Sequence, residues 1–341
     1  MISWELKKII KSKNSIVALI LFLILFMQIS FVKPMLETEN EYFDNVKNKY
    51  IVDQRAKNEI AQDKLNNKVQ ELQAIAGSDS SENKNDDIKL ATMAKEKLKS
   101  DNGANYIDVS FYQVFESRVT FPFAAILIIA IIVTLSSNIY TDEKLSNVAP
   151  IIMSSKQKNK VLYSKLITMI IIPLAVYVLY ILTAFFITYI QYGAPVNGHL
   201  QGYRISMLSI LLRKVSIVQL IGSEIGLLAL MFMVVSVFSG LFSFITNNSI
   251  QSVSSSVIFI SLGKIISIVK LLPNEIRAIA QQCDFIAILF KQSFIPSGYI
   301  GDINILSINL DLSILCTVLI TMLLILGIGF NVYTFKRILN K

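Results

Sequence analysis

The fold class is decided by residues 121–139, FPFAAILIIAIIVTLSSNI, a run that contains no charged side chain. A bilayer core about 30 Å thick requires roughly 20 apolar residues in a helix, so this run is long enough to cross it. Uncharged runs of similar or greater length occupy residues 16–32, 166–190 and 312–335. These four runs predict a polytopic α-helical membrane protein.

Two more apolar runs each carry one ionisable side chain. Residues 215–245 contain Glu224, and residues 250–269 contain Lys264. A helix in a bundle tolerates such a side chain when it faces protein. Only 16% of the chain is charged, against about a quarter in soluble domains, and 53% is hydrophobic. The sequence therefore predicts an all-α fold with six transmembrane helices.

The distribution of Lys and Arg predicts the orientation in the membrane. Residues 1–14, 140–165 and 336–341 hold twelve Lys/Arg and three Asp/Glu, whereas residues 33–118 hold thirteen Lys/Arg and sixteen Asp/Glu. We expect a plasma membrane protein with both termini on the cytoplasmic side. Residues 192–214, with a net charge of +3, fit this orientation poorly, because it places them outside. The membrane accounts for the basic balance, so no nucleic-acid partner is needed. The Ile/Lys/Asn-rich composition favours a bacterial source.

The predicted organisation follows from these runs. Residues 1–14 form a cytoplasmic amphipathic elbow or, alternatively, only a positive flank that fixes topology, and residues 15–33 form a retained first span. Listed along the chain, the remaining parts are an extracytoplasmic helical domain at 34–118, span 2 at 119–140, a cytoplasmic loop at 141–165, and spans 3 to 6 at 166–341, with a re-entrant or interfacial helix near 285–290.

Apolar residues three or four apart predict one long helix over residues 37–76, a break at 77–87, and a second helix after it. Together they predict an extracytoplasmic helical hairpin. Two interpretations stay open: a domain that handles substrate or docks a partner, and a solvated spacer.

The order of parts around residues 139–166 resembles the permease subunit of an ABC transporter of the type-2 exporter class. An acidic pair, Asp142 and Glu143, follows span 2, and an apolar stretch and a basic stretch precede Lys165 and span 3. In that family such a loop couples to an ATPase. The resemblance assigns ATPase coupling to Asp142, Glu143, Lys144, Val148, Ile151, Ile152, Lys156 and Lys158. It also implies two cytoplasmic ATPase subunits that bind ATP and Mg²⁺, and a second permease half, identical or homologous.

The sequence offers no chemistry of its own. It has no G-x-x-x-x-G-K-[ST] loop, and its single His199 suggests no catalytic set. Cys283 and Cys316 show neither metal-ligand spacing nor a disulfide framework, so we expect unpaired packing residues. No catalytic residue, metal site or bound cofactor is predicted, and a membrane enzyme is the weaker alternative.

Glu224 and Lys264 both fall in the outer halves of their predicted spans, which makes them candidates for an intramembrane charge pair. There are two alternatives: these side chains line a transport pathway, or Lys264 extends outward so that its ammonium group reaches the membrane surface. For the cargo, the expected outer helical domain favours an amphipathic or antimicrobial peptide, for export or self-protection. A drug or lipid exporter of the same class, and a non-transport membrane scaffold or sensor accessory, remain alternatives.

Overall fold

The computed structural model of the chain describes residues 1–77, 85–101, 105–206, 209–291, 295–305 and 308–339. In chain order the helices are α1 (Ile2–Lys11), α2 (Lys13–Ile29), α3 (Lys57–Gly77), α4 (Asn85–Ser100), α5 (Ser110–Val119), α6 (Pro122–Ser136), α7 (Thr141–Leu145), α8 (Ala149–Ser154), α9 (Lys158–Tyr192), α10 (Ile217–Ile245), α11 (Ser249–Ile268), α12 (Asn274–Cys283), α13 (Phe285–Lys291) and α14 (Leu312–Leu339). Two antiparallel hairpins pair β1 (Glu41–Asp44) with β2 (Lys49–Val52), and β3 (Asp302–Ile305) with β4 (Ile308–Asp311).

Five helical segments among the described residues are long and apolar enough to cross a membrane. They are Pro122–Leu145, Lys158–Tyr192, Ile217–Ile245, Ser249–Ile268 and Leu312–Ile338. They match five of the six predicted runs, and the chain is mostly helical, so the structure is that of a polytopic helical membrane protein. The first run differs, because α1 and α2 meet at an angle of 77° and make a sixth span only when counted together.

Helix α10 lies at the centre of the bundle, where it contacts α6, α9, α11 and α14. Its first turn is held by a capping box in which Ser216 and Gln219 satisfy each other's backbone N–H groups. Glycines allow the neighbouring helices to approach closely: Gly240 lies against the Met169 side chain of α9, and Gly327 of α14 lies against Phe238. Small residues at such crossings are typical of helix packing in membranes.

A proline in α9 explains one buried polar contact of this core. Pro173 lacks an N–H group, so it leaves the carbonyl of Met169, four residues earlier, without its helical donor. The Ser236 hydroxyl of α10 donates to this carbonyl at 2.6 Å and lies 2.8 Å from the Ser136 hydroxyl of α6. Three helices are thereby joined at the point where the α9 ladder is interrupted.

The prediction of one long helix over residues 37–76 is wrong. Residues 41–52 form the β1–β2 hairpin, and α3 begins only at Lys57. The chain turns at Asn48, whose φ of 48° lies in the left-handed region that Asn tolerates. Aromatic residues such as Phe43 and Tyr50 pair across the strands with ring centroids 5.3 Å apart. The predicted break at 77–87 falls largely on residues 78–84, which lie outside the described residues.

Helices α3 and α4 pack on each other through a small apolar core that includes Leu65, Leu72 and Ala94. We call β1, β2, α3 and α4 the polar domain. It is fixed to the loop before α10 by a buried lysine: Lys97 is 1% exposed, and its ammonium group donates to the carbonyls of Ser209, Ile210 and Leu212 at 2.7 to 3.0 Å. Burial lowers the pKa of Lys97 from 10.5 to about 8.

A second buried contact fixes the same loop to the end of α4. The Arg204 guanidinium donates two hydrogen bonds of 2.8 Å to the Asp101 carboxylate, and the Tyr203 hydroxyl donates a third at 2.9 Å. Burial alone raises the pKa of Asp101, but the hydrogen bonds from Arg204 and Tyr203 and the charge of Arg204 together outweigh it, so the pKa lies below 3.8. The polar domain therefore does not stand away from the bundle as a free spacer.

The two cysteines form a disulfide, so the prediction that they are unpaired is wrong. Cys283 ends α12, Cys316 lies in the second turn of α14, and their Cα atoms are 5.1 Å apart. They meet because α12 folds back against both α11 and α14. The close approach of Gly263 on α11 to Asp284 allows this return. After α12, helix α13 corresponds to the short helix predicted near 285–290, and its Phe285 is buried.

Candidate functional site

The loop between α6 and α9 folds as two short helices at the end of the bundle where α1 lies. Asn147, with a φ of 55°, makes the turn between α7 and α8, and the Val148 N–H group donates to the Glu143 carbonyl at 3.0 Å. Pro150 occupies the first turn of α8, where its missing N–H group costs no hydrogen bond. The loop is thus a defined surface whose two helices have different environments.

Glu143 of α7 lies at the centre of a buried charge cluster. Its carboxylate is 2% exposed and accepts hydrogen bonds of 2.6 Å from both Lys165 of α9 and Lys8 of α1. Lys165 is fully buried and also lies 3.2 Å from the Glu5 carboxylate of α1. We call Glu5, Lys8, Glu143 and Lys165 the charge cluster. It joins α1, α7 and α9.

The charge cluster is balanced, since two carboxylates face two ammonium groups. The Ile139 carbonyl accepts from Lys165 at 3.2 Å and from Lys8 at 3.3 Å, and the Tyr140 ring centroid lies 6.0 Å from the Lys165 ammonium group. Removing one partner of a buried pair leaves an uncompensated charge and costs about 3–5 kcal/mol. Movement of α7 is therefore coupled to α1 and α9, because separating them would expose or strand these charges.

The next residue, Lys144, fastens the loop to the central helix. Its ammonium group donates to the carbonyls of Phe244 and Thr246 at 2.7 and 2.6 Å, at the end of α10. A cation at the carboxyl end of a helix also interacts favourably with the helix dipole. The backbone N–H groups of Tyr140 and Thr141 donate to the Ser243 hydroxyl at 2.8 and 3.0 Å. The loop and the end of α10 are therefore held together by four hydrogen bonds.

The eight residues predicted to couple to an ATPase fall into two groups. Glu143, which is buried, and Asp142 and Lys144, which are half-buried, face the bundle. The outer group consists of Val148, Ile151, Ile152, Lys156 and Lys158, of which Ile152 and Lys158 are half-buried and the others exposed. Ile151 of α8 is 68% exposed, and Leu145 at the end of α7 is 60% exposed. The outer group forms an apolar surface with lysines beside it, which we call the α8 surface.

Sequence reasoning located the loop but missed Glu5, Lys8 and Lys165 as members of its buried cluster. Glu5 and Lys8 lie more than a hundred residues before Glu143 in the sequence, whereas Lys165 lies 22 residues after it. One signal was present: Glu5 is the only acidic residue in the basic segment 1–14. A lone carboxylate among lysines is a candidate for an ion pair, but the sequence does not specify which lysine is its partner.

The predicted ion pair between Glu224 and Lys264 does not form within the described residues. Glu224 is fully buried on α10, where its carboxyl group interacts electrostatically with Tyr177 of α9. Lys264 is exposed on α11, a helix that buries little of its surface. Equal depth in the membrane did not place the two side chains on facing sides of their helices. The exposure of Lys264 fits outward snorkelling better.

The described residues contain no group of three His, Cys, Asp or Glu side chains that could hold a metal ion. Comparison of the chain with known protein families, with characterised proteins and with solved structures finds no match.

Proposed function

We propose that this chain is the membrane permease half of an ATP-driven ABC exporter, powered by a separate cytoplasmic ATPase subunit. The observation that carries the proposal is the arrangement of the loop between α6 and α9. Its outer side is an exposed apolar surface on α8, and its inner side is tied by buried charges to α1 and α9 and by Lys144 to α10. A partner pressing on α8 would move three helices together.

The proposed orientation places both termini and the α8 surface in the cytoplasm and the polar domain outside. Lysines that follow α8, including exposed Lys156, would complement an acidic binding surface on the partner. Helix α1 then acts as the interfacial elbow, and α1 with α2 makes the sixth span. Two ATPase subunits that bind ATP and Mg²⁺, and a second permease half, complete the assembly in a bacterial plasma membrane.

The proposed cargo is an amphipathic or antimicrobial peptide, for export or self-protection. A folded outer domain favours a peptide among the cargoes of this class, and Lys97 and the Asp101–Arg204 pair fix this domain to the loop that leads into α10. A peptide bound at the polar domain would therefore act on the same central helix that Lys144 connects to the α8 surface. The proposal predicts that the assembled complex protects cells against cationic amphipathic peptides.

ATP hydrolysis in the assembly, purified from membranes of the host through a tag on this chain, tests the proposal. Ile151→Asp puts a charge on the α8 surface without touching the charge cluster, and Val46→Asp, at a β1–β2 position that is 95% exposed, is the matched control. We expect Ile151→Asp to lower the copurified hydrolysis at least tenfold at unchanged yield of the chain, and Val46→Asp to leave it unaltered. Equal hydrolysis in both variants would refute the assignment of the α8 surface.

A further inference from the structure

The bend between α1 and α2 encloses an apolar groove on the side of the bundle. Its volume is about 380 Å³, and its walls come from four helices. Lining side chains include Ile9 and Ile10 of α1, Phe22 of α2, Leu135 of α6, and Val176 and Leu179 of α9. Ser15 is the single polar residue among the described residues that line it.

The position of the groove identifies the medium that it faces. Helix α2 is apolar along its length and carries Leu19 and Leu23 more than half exposed, while Leu179 of α9 is 51% exposed beside the groove. In a protein that crosses a membrane, such side chains face lipid. Protein surfaces are close-packed with their surroundings, and an empty apolar volume forfeits dispersion contacts. The groove is therefore matched to a hydrocarbon chain.

The bend also brings cations to one end of the groove. Lys11 ends α1 and Lys13 begins α2, and both side chains are exposed. In sequence they stand directly between lining residues Ile10 and Ser15. Neither lysine takes part in the ion pairs of the described residues, in contrast to Lys8 of the charge cluster. Lysines at a membrane surface attract anionic headgroups by about 1 kcal/mol each, about a fivefold change in binding.

We propose that this groove is a binding site for one anionic phospholipid, with an acyl chain between α1, α2, α6 and α9 and its phosphate at Lys11 and Lys13. The lipid acts as a resident ligand that fills the angle between α1 and the bundle. This proposal depends on the membrane-spanning fold and not on the transport function. It therefore stands or falls separately from the proposed ATPase.

Fluorescence quenching in nanodiscs tests it. Trp4 is the only tryptophan, so the double change Trp4→Phe with Phe22→Trp gives a single reporter in the groove wall. The probes are phosphatidylglycerol and phosphatidylcholine with brominated acyl chains, each added at a low mole fraction to discs of unlabelled phosphatidylcholine. We expect phosphatidylglycerol to quench at far lower mole fractions and to saturate as one bound molecule.

Variants separate the headgroup from the groove. Changing Lys11 and Lys13 to Gln should lower the preference for phosphatidylglycerol by roughly twenty-five-fold, from about fivefold for each lysine. The matched control changes Lys95 and Lys99 to Gln, two exposed lysines of α4 in the polar domain, and should leave the preference unchanged. Ala175→Phe, which fills the groove from α9, should weaken quenching by either lipid.

Two results would overturn the assignment. Equal quenching by the two brominated lipids would show ordinary boundary lipid without a headgroup site. Absence of quenching by either lipid, with the reporter shielded in a dimer, would show that a second copy of the chain occupies the groove. Neither result bears on whether the α8 surface binds an ATPase.

Discussion

The pair Glu143–Lys165 gives the sharpest energetic prediction. Glu143→Gln removes the charge that accepts two 2.6 Å hydrogen bonds, and it leaves the fully buried Lys165 with only the Glu5 carboxylate at 3.2 Å. We expect this change to lower the free energy of unfolding by about 3–5 kcal/mol, the cost of a stranded buried charge. Lys165→Met should be of comparable cost, because Lys8 still compensates Glu143 but the buried Glu5 carboxylate loses the ammonium group 3.2 Å away.

The double variant removes both charges and leaves Glu5 and Lys8, which balance each other. Its loss of stability should therefore be smaller than the sum of the single losses by about 1–3 kcal/mol. Denaturant titration in one detergent measures the free energy of unfolding of the wild type, the two single variants and the double variant. The control cycle uses Lys33→Gln and Glu39→Gln, an exposed pair at 2.8 Å, whose coupling should stay below about 1 kcal/mol. Additivity within about 0.5 kcal/mol at Glu143 and Lys165 would refute a cooperative charge cluster.

Three further predictions follow from the fold. Reduction of the Cys283–Cys316 bond should lower the free energy of unfolding by about 2–4 kcal/mol. Reductant should not change the stability of a variant in which both cysteines are Ser. Labelling of the cysteines by a maleimide without prior reduction would contradict the bond. Because the pKa of Lys97 is about 8 in the folded protein and 10.5 when unfolded, the folded state binds fewer protons in that interval. The Lys97 contribution to stability is therefore complete above pH 10.5 and is lost as the pH falls through 8. The stability of wild type relative to Lys97→Met should rise between pH 8 and pH 10.5. A difference that stays constant over this interval would be inconsistent with a buried ammonium group. Ser236→Ala should cost about 1–3 kcal/mol by orphaning the Met169 carbonyl, and much less when the residue four positions later, Pro173, is changed to Ala, which restores a donor; equal costs in both backgrounds would argue against this role.

The spans could be predicted from sequence because lipid imposes a simple rule. Every backbone polar group must be satisfied within the segment, so a membrane-length apolar run has to be helical. Five of the predicted runs are membrane-length helices for this reason. The first run was harder, because the angle at Ser12 between α1 and α2 depends on what α1 contacts. Local hydropathy carries no information on that angle.

Outside the spans, periodicity misled where segments were short. Phe43, Val46 and Tyr50 stand three and four residues apart, as on a helix, yet they belong to strands of four residues and the turn between them. A strand that short offers too few alternations for a period of two to be recognised. The hairpin is stabilised instead by cross-strand pairs, which depend on the turn at Asn48.

The site was only partly predictable because its decisive contacts are tertiary. Depth along two spans suggested that Glu224 and Lys264 were neighbours, but depth does not specify which way each side chain points around its helix. The same limit hid the disulfide, since Cys283 reaches Cys316 only after α12 has folded back. Charge composition did identify the loop around Glu143, whose buried partners Lys8 and Lys165 became visible only in the folded chain.

Photocrosslinking in living cells of the host shows directly whether the α8 surface contacts a nucleotide-binding subunit. A benzophenone amino acid replaces Ile151 on the α8 surface, which is 68% exposed, and Val46 in the β1–β2 hairpin, which is 95% exposed, serves as the control position. We expect the adduct at Ile151 to contain a polypeptide with a G-x-x-x-x-G-K-[ST] nucleotide-binding loop, and the adduct at Val46 to lack one. Absence of such a polypeptide at Ile151, or equal capture at both positions, would contradict this expectation.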